Sequence, residues 1–253
     1  MQILPAIDIR GGQCVRLRQG DYDQETVFGS DPAAMARRWM QQGAEFLHLV
    51  DLDGARQGKP VNVDCVVRIV EETNIPCQLG GGLRTEEDIA RVLQLGVARV
   101  VVGSRAIREP DWLERICQRF PKRIVLGVDA RDGRLSVEGW REQTEESASE
   151  FVERVDGWPL AAIVYTDISR DGMLEGPNFA AYEALCQTSK IPVIASGGIT
   201  TLDDIRKLSR LPLAGCIIGR ALYEGRIALA EAIRLVRSST NEGATTRAEP
   251  QVG

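Results

Sequence analysis

Gln78–Ile107 reads QLGGGLRTEEDIARVLQLGVARVVVGSRAI, and Ile194–Tyr223 reads IASGGITTLDDIRKLSRLPLAGCIIGRALY. Superposed without a gap, the stretches match Gly81 and Gly82 with Gly197 and Gly198, and Gly103 with Gly219. Each holds an apolar run, a glycine turn, an amphipathic stretch, a second apolar run and a further glycine. That is two βα units in succession, occurring twice. Repetition fixes architecture more firmly than local propensity does. Asp8 in ILPAIDIRGG and Asp129 in RIVLGVDARDG correspond in the same way, as do LVDLDG from Leu49 and YTDISRDG from Tyr165.

Working outward, short runs rich in Val, Ile and Leu alternate with longer amphipathic stretches along the chain, the pattern of a parallel sheet wrapped by helices. Strands are expected near Ile3–Ile9, Phe46–Asp51, Pro76–Leu79, Arg99–Val102, Ile124–Asp129, Ala161–Thr166, Pro192–Ala195 and Gly215–Ile218. Eight such units predict an α/β chain folded as a (β/α)8 TIM barrel with a twofold internal half-barrel repeat. Helix starts support the count. Asp31 precedes Pro32 ahead of a stretch closing on Gly43, and Thr85 with Asp88 and Thr201 with Asp204 resemble capping boxes with Asp in place of Glu. One domain over 1–237 is expected, and the polar stretch 238–253, SSTNEGATTRAEPQVG, reads as a disordered tail.

Composition narrows the function. The net charge is −5 and the basic residues are dispersed, which disfavours nucleic acid and anionic membranes as partners. The six cysteines are far apart with no C-x-x-C pair, and His48 is the only histidine, so no metal site is expected. No leader-like or membrane-spanning segment is apparent, and the expectation is a soluble, cytoplasmic protein.

In a parallel barrel the C-terminal strand ends and the βα loops form the working face. Gly81, Gly82, Gly103 and Ser104 fall there in one half, and Gly197, Gly198 and Gly219 in the other. Glycines between a strand end and a helix start either shape a tight turn or let backbone N–H groups approach an oxyanion. Two equivalent sets half a barrel apart favour the second reading and predict a ligand with a phosphate at each end. Asp8 and Asp129 end the first and fifth strands. Opposite one another across the mouth, they can divide acid and base roles if their surroundings push their pKa values apart.

LPAIDIRGGQCVRLRQGDYDQETVF, LHLVDLDGARQGKPVN, QLGGGLR, VVVGSRAI, GVDARDG, YTDISRDGMLEGPN, IASGGI and IIGRALYEG together resemble the ProFAR isomerase family of histidine biosynthesis over nearly the whole chain. The related cyclase of that pathway shares the glycines and aspartates, but its first βα loop normally carries a lysine where this chain reads VRLRQGDYD. The resemblance implies an Amadori rearrangement of an N-linked ribosyl phosphate to its ribulosyl form, on a small bisphosphorylated ribonucleotide, by a monomer using no cofactor. It implies Asp8 as base and Asp129 as acid. The sequence alone leaves that assignment open between the two aspartates.

Further residues carry two readings each. Thr166 orients Asp129 or is a strand threonine; Asp171 touches substrate or makes an Asp-Gly turn; His48 faces the mouth or fills the core. Arg16, Gly20 and Asp21 lie in a long first loop, Gly11 to Ser30, expected to close over the ligand. Trp140, in the fifth loop, stacks on an aminoimidazole ring or packs locally. Arg84 and Arg220, beside the glycines, pair with substrate anions or with surface carboxylates. Alternative functions are an isomerase that also accepts phosphoribosyl anthranilate, the cyclase, an FMN-binding oxidoreductase using only the later glycine set, and a non-catalytic bisphosphate scaffold.

Overall fold

The computed structural model describes residues 1–245. In chain order the strands are β1 (Gln2–Arg10), β2 (Gln13–Arg18), β3 (Asp21–Gly29), β4 (Leu47–Asp51), β5 (Cys77–Gly80), β6 (Arg99–Val102), β7 (Ile124–Arg131), β8 (Arg134–Val137), β9 (Glu142–Ser147), β10 (Ala162–Asp167), β11 (Val193–Ser196) and β12 (Gly215–Ile218). Parallel pairing runs from β1 through β4, β5, β6, β7, β10, β11 and β12, and β12 pairs back onto β1 with Gln2 opposite Gly215. The eight expected strands therefore close into a (β/α)8 barrel. Closure leaves no unpaired parallel edge.

Alternation along each strand sorts side chains between two cores. Inward residues Leu4, Ala6, Phe46, Val125, Val164 and Ile217 fill the barrel, while outward ones such as Ile7, Leu49, Leu79 and Leu126 meet the helices. Trp39, Ile69, Ile89, Leu113 and Phe151 are the helical side of that outer layer, each essentially inaccessible to solvent. Full burial of side chains of this size stabilises by about 1.5–3 kcal/mol apiece.

The helices start as their caps dictate. Asp31 accepts from Ala33 N at 3.0 Å ahead of helix Pro32–Gln41, and Gly43 follows at φ +97°. Thr201 and Asp204 form the full reciprocal capping box. At Thr85 only half of it forms: Thr85 Oγ1 accepts from Asp88 N, but donates its own proton to the Asp88 carboxylate at 2.8 Å, which takes the place of the return bond. The last helix runs Leu229–Thr245, so regular structure extends past residue 237; the rest of the expected tail, 246–253, lies outside the described residues.

Two segments differ from expectation. The first loop is a two-stranded antiparallel ribbon, β2 against β3, continuing from β1; the fifth loop likewise folds as β8 and β9 continuing from β7. Both ribbons form because their backbone groups pair along the ladder while apolar residues on one face, Val15 and Leu17 in β2 and Leu135 and Val137 in β8, are buried. All six cysteines are free thiols, four of them fully in the core. No helix among the described residues is long and apolar enough to cross a membrane.

Candidate active site

The C-terminal strand ends enclose a cavity of about 380 Å³ whose wall includes Asp8, His48, Asp129, Asp171, Gly81 and Gly197. β1 and β7 are four strands apart in either direction around the barrel, so Asp8 and Asp129 enter this cavity from diametrically opposite sides.

The Asp8 carboxylate faces Arg16, whose Nη1 lies 2.9 Å from Oδ2. Burial raises the Asp8 pKa to about 6 against the opposing pull of Arg16, with Asp171 adding a further upward push. The Asp129 carboxylate accepts a hydrogen bond from the Trp140 indole N–H at 2.8 Å and lies beside Thr166 in the β7–β10 register. Its pKa is also raised, by burial first, against hydrogen bonds from Trp140 and Thr166. Asp171, in the loop after β10, is raised by burial and held back by Arg16. Three largely shielded carboxyl groups thus line one cavity with the largely shielded Arg16 guanidinium.

The glycine sets lie where the sequence places them. Gly103 and Gly219 are the N-caps of the short helices Ser104–Arg108 and Arg220–Tyr223, and neither helix has a side-chain cap. Gly82 and Gly198 have φ of +75° and +77°, and a Cβ there would stand 2.6 Å from Gly54 O and 2.4 Å from Gly176 O. Packing against the neighbouring βα loop therefore accounts for glycine at both positions, alongside any role toward a ligand. The Ser104 hydroxyl accepts from Glu138 N at 2.9 Å, tying that helix start to the fifth-loop ribbon. Arg84 packs over Gly58, and Arg220 donates to Gly172 O at 2.8 Å; both guanidinium groups border the cavity.

Arg16, expected in a long loop closing over the ligand, stands on β2 with its guanidinium directly over Gly219. Gly20 is the ribbon turn, at φ +72°, and the Trp140 ring lies against it, so the tips of the two ribbons meet over the mouth. Trp140 is itself at φ +71°. Its ring packs on the first-loop ribbon and its N–H donates to Asp129, an arrangement that neither reading of it included. Asp21 lies apart: it stays on the exposed turn, accepting from Asp23 N and Gln24. His48 faces the cavity from β4 and is hydrogen-bonded to Gln78; burial and the nearby Arg16 and Arg99 lower its pKa to about 3. Tyr22 and Arg105 also border the cavity, and the sequence does not mark them, since a ribbon tyrosine and a helical arginine carry no motif. Among the described residues no group of His, Cys, Asp and Glu is placed to hold a metal ion.

The family model described as "Histidine biosynthesis protein" matches residues 2–228. Among curated relatives the chain is 51% identical over 238 residues to a protein of Rhodopirellula baltica, covering 93% of this chain and 94% of the relative. It is 50% identical over 240 residues to one of Chloroflexus aggregans, covering 95% and 100%. A relative from Synechocystis sp. is 50% identical over 239 residues, covering 93% of each chain. All three are named 1-(5-phosphoribosyl)-5-((5-phosphoribosylamino)methylideneamino) imidazole-4-carboxamide isomerase.

Proposed function

The chain belongs to the histidine biosynthesis protein family, and on that premise we propose that it is the isomerase its relatives are named for, converting the ribosylamine end of that bis-phosphoribosyl compound to the ribulosyl form. The observation that carries this reading is the pair of partly buried carboxyl groups with raised pKa values, on opposite sides of a cavity rimmed by two glycine-capped helix starts.

Both environments raise a carboxyl pKa, and the division of roles is the one the family resemblance implies. Asp129, raised by burial against hydrogen bonds from Trp140 and Thr166, takes the acid role and protonates the ribose ring oxygen. That opens the ring to an iminium. Asp8, paired with Arg16 and titrating near pH 6, is a carboxylate at neutral pH and is suited to take the C2 proton. Loss of that proton gives an enolamine. Reprotonation at C1 with loss of the C2 hydroxyl proton gives the ketone, so the protons balance and the step is a net isomerisation. Thr166 and Trp140 hold the Asp129 side. The phosphates seat at the N-termini following Gly103 and Gly219, with Gly81, Gly82, Gly197 and Gly198 shaping the approach and Arg16, Arg84 and Arg220 supplying positive charge.

Purified protein incubated with the bis-phosphoribosyl compound alone should generate the aminoketose, followed by its ultraviolet spectrum or by mass-neutral chromatographic shift. Absence of conversion by well-folded protein would refute the assignment.

A further inference from the structure

A chain of polar side chains, with His48 and Gln78 buried and Arg99 partly so, runs beneath the cavity floor and is used by none of the steps above. Arg99 Nε donates to Gln78 Oε1 at 2.8 Å, and Gln78 Nε2 lies 2.7 Å from His48 Nδ1. The three residues are inward-facing neighbours on β6, β5 and β4: Gln78 pairs with Arg99 and His48 with Gln78 in the strand registers. Gln78 is completely inaccessible to solvent. The Arg99 guanidinium is itself held over the Phe46 ring, 4.4 Å from its centroid.

Donor and acceptor identities then settle the proton on His48. Arginine has donors only, so the amide oxygen of Gln78 must face Arg99. Its NH2 group must therefore face His48, and the Nδ1 that receives it must be a lone pair. The imidazole is thereby fixed as the Nε2–H tautomer. Its position favours the neutral form at any physiological pH, because burial and the positive charges of Arg16 and Arg99 all oppose protonation. With Nδ1 engaged, the group His48 offers to the cavity is a neutral N–H donor. His48 sits opposite Ala6 on β1, one inward layer below Asp8.

We propose that Gln78 and Arg99 are positioning residues that lock His48 as a neutral Nε2–H donor to an oxygen of the bound sugar, next to the carbon from which Asp8 takes its proton. This deepens the isomerase reading and rests on it. A neutral donor polarises a hydroxyl or carbonyl oxygen without competing for the proton that Asp8 must accept, and lowered pKa values serve this purpose for imidazole electrophiles elsewhere. A lone-pair nitrogen at the same place would accept from the sugar hydroxyl and lose that polarisation. The groups facing the imidazole are Arg16 on β2, Gln78 on β5 and Arg99 on β6.

Because the chain has one histidine, nitrogen-15 labelling of histidine gives a single ring to observe in the intact protein. The wild type should show the Nε2–H tautomer with no titration between about pH 5 and about pH 9. Gln78→Glu replaces the NH2 donor by an acceptor that Arg99 still neutralises. At about pH 8.5 it should move the proton to Nδ1 and lower kcat/KM roughly 10- to 100-fold, by analogy with the partners that orient metal-bound imidazoles. His48→Gln, which keeps a neutral donor, should retain more activity than His48→Ala, and Arg99→Met should give mixed tautomers. An Nδ1–H tautomer or a titrating ring in the wild type overturns the proposal, as does a proton moved to Nδ1 with undiminished kcat/KM. The spectrum of the free protein is independent of turnover, so a wrong tautomer and a wrong reaction are told apart.

Discussion

The Arg16 guanidinium joins two parts of the site: Nη1 is 2.9 Å from the Asp8 carboxylate, while the same group lies over Gly219 at the start of a helix. Its Nε is buried without a partner. A single cation therefore influences both the proton affinity of Asp8 and the positive character of one proposed phosphate seat.

Removing that cation should move the acid limb of the pH–rate profile. Arg16 favours ionised Asp8, so in Arg16→Met the carboxyl stays protonated to a pH above the present value of about 6. If Asp8 is the base, the limb of kcat/KM shifts upward, with a loss of activity at neutral pH that alkaline buffer partly restores. A limb left in place would show that a different group governs it.

Asp8 should also cost the fold stability at neutral pH. Its pKa is raised from 3.8 to about 6, so the folded state binds the proton more tightly than the unfolded chain, and stability falls as pH rises between those values. A shift of roughly 2 units corresponds to about 3 kcal/mol. Asp8→Asn, which cannot ionise, should be more stable than the wild type at pH 8 by an amount on the order of 1–3 kcal/mol, with the two converging near pH 4. Urea denaturation at both pH values checks this; equal stabilities at pH 8 would mean that the carboxylate is adequately solvated.

Trp140 gives a matched prediction on the other side. Its indole N–H lowers the pKa of Asp129, so Trp140→Phe, which keeps the ring against Gly20 but loses the donor, should raise it. If Asp129 is the acid, the alkaline limb of the profile moves to higher pH. Downward movement or none, measured over the same range, would contradict the assignment.

Glycine positions separate strain from collision. Gly133 and Gly198 share φ +77°, but a Cβ on Gly133 meets nothing within 4 Å whereas one on Gly198 meets Gly176 O at 2.4 Å. Gly133→Ala should cost only the left-handed backbone penalty, about 1–2 kcal/mol. Gly198→Ala should cost more and also raise KM, because the loop after β11 must shift. Calorimetric unfolding with steady-state kinetics distinguishes the two.

How much of this was readable in advance depends on the range of the interaction. The barrel strands were legible because Val-, Ile- and Leu-rich runs buried on both faces look alike wherever they occur, and the glycine repeat located the rim. The ribbons β2–β3 and β8–β9 look like loops in the sequence because only one face of each is apolar, and stretches such as DYDQETVFG bear mixed polarity. Their pairing comes from the partner strand. The contact of Trp140 with Asp129 was out of reach for a similar reason: it depends on a left-handed backbone at Trp140 itself. Gln78 stood in view as a polar residue in the run IPCQLGGG, but its meaning required Arg99 to be placed beside it by strand register.

The most direct test compares wild type, Asp8→Asn and Asp129→Asn for turnover of the bis-phosphoribosyl compound and, by calorimetric titration, for its binding. The account predicts that each variant loses about 10²- to 10⁴-fold in kcat, the usual contribution of a positioned acid or base, while binding stays within a few-fold of wild type. Near-normal turnover in either variant would contradict it.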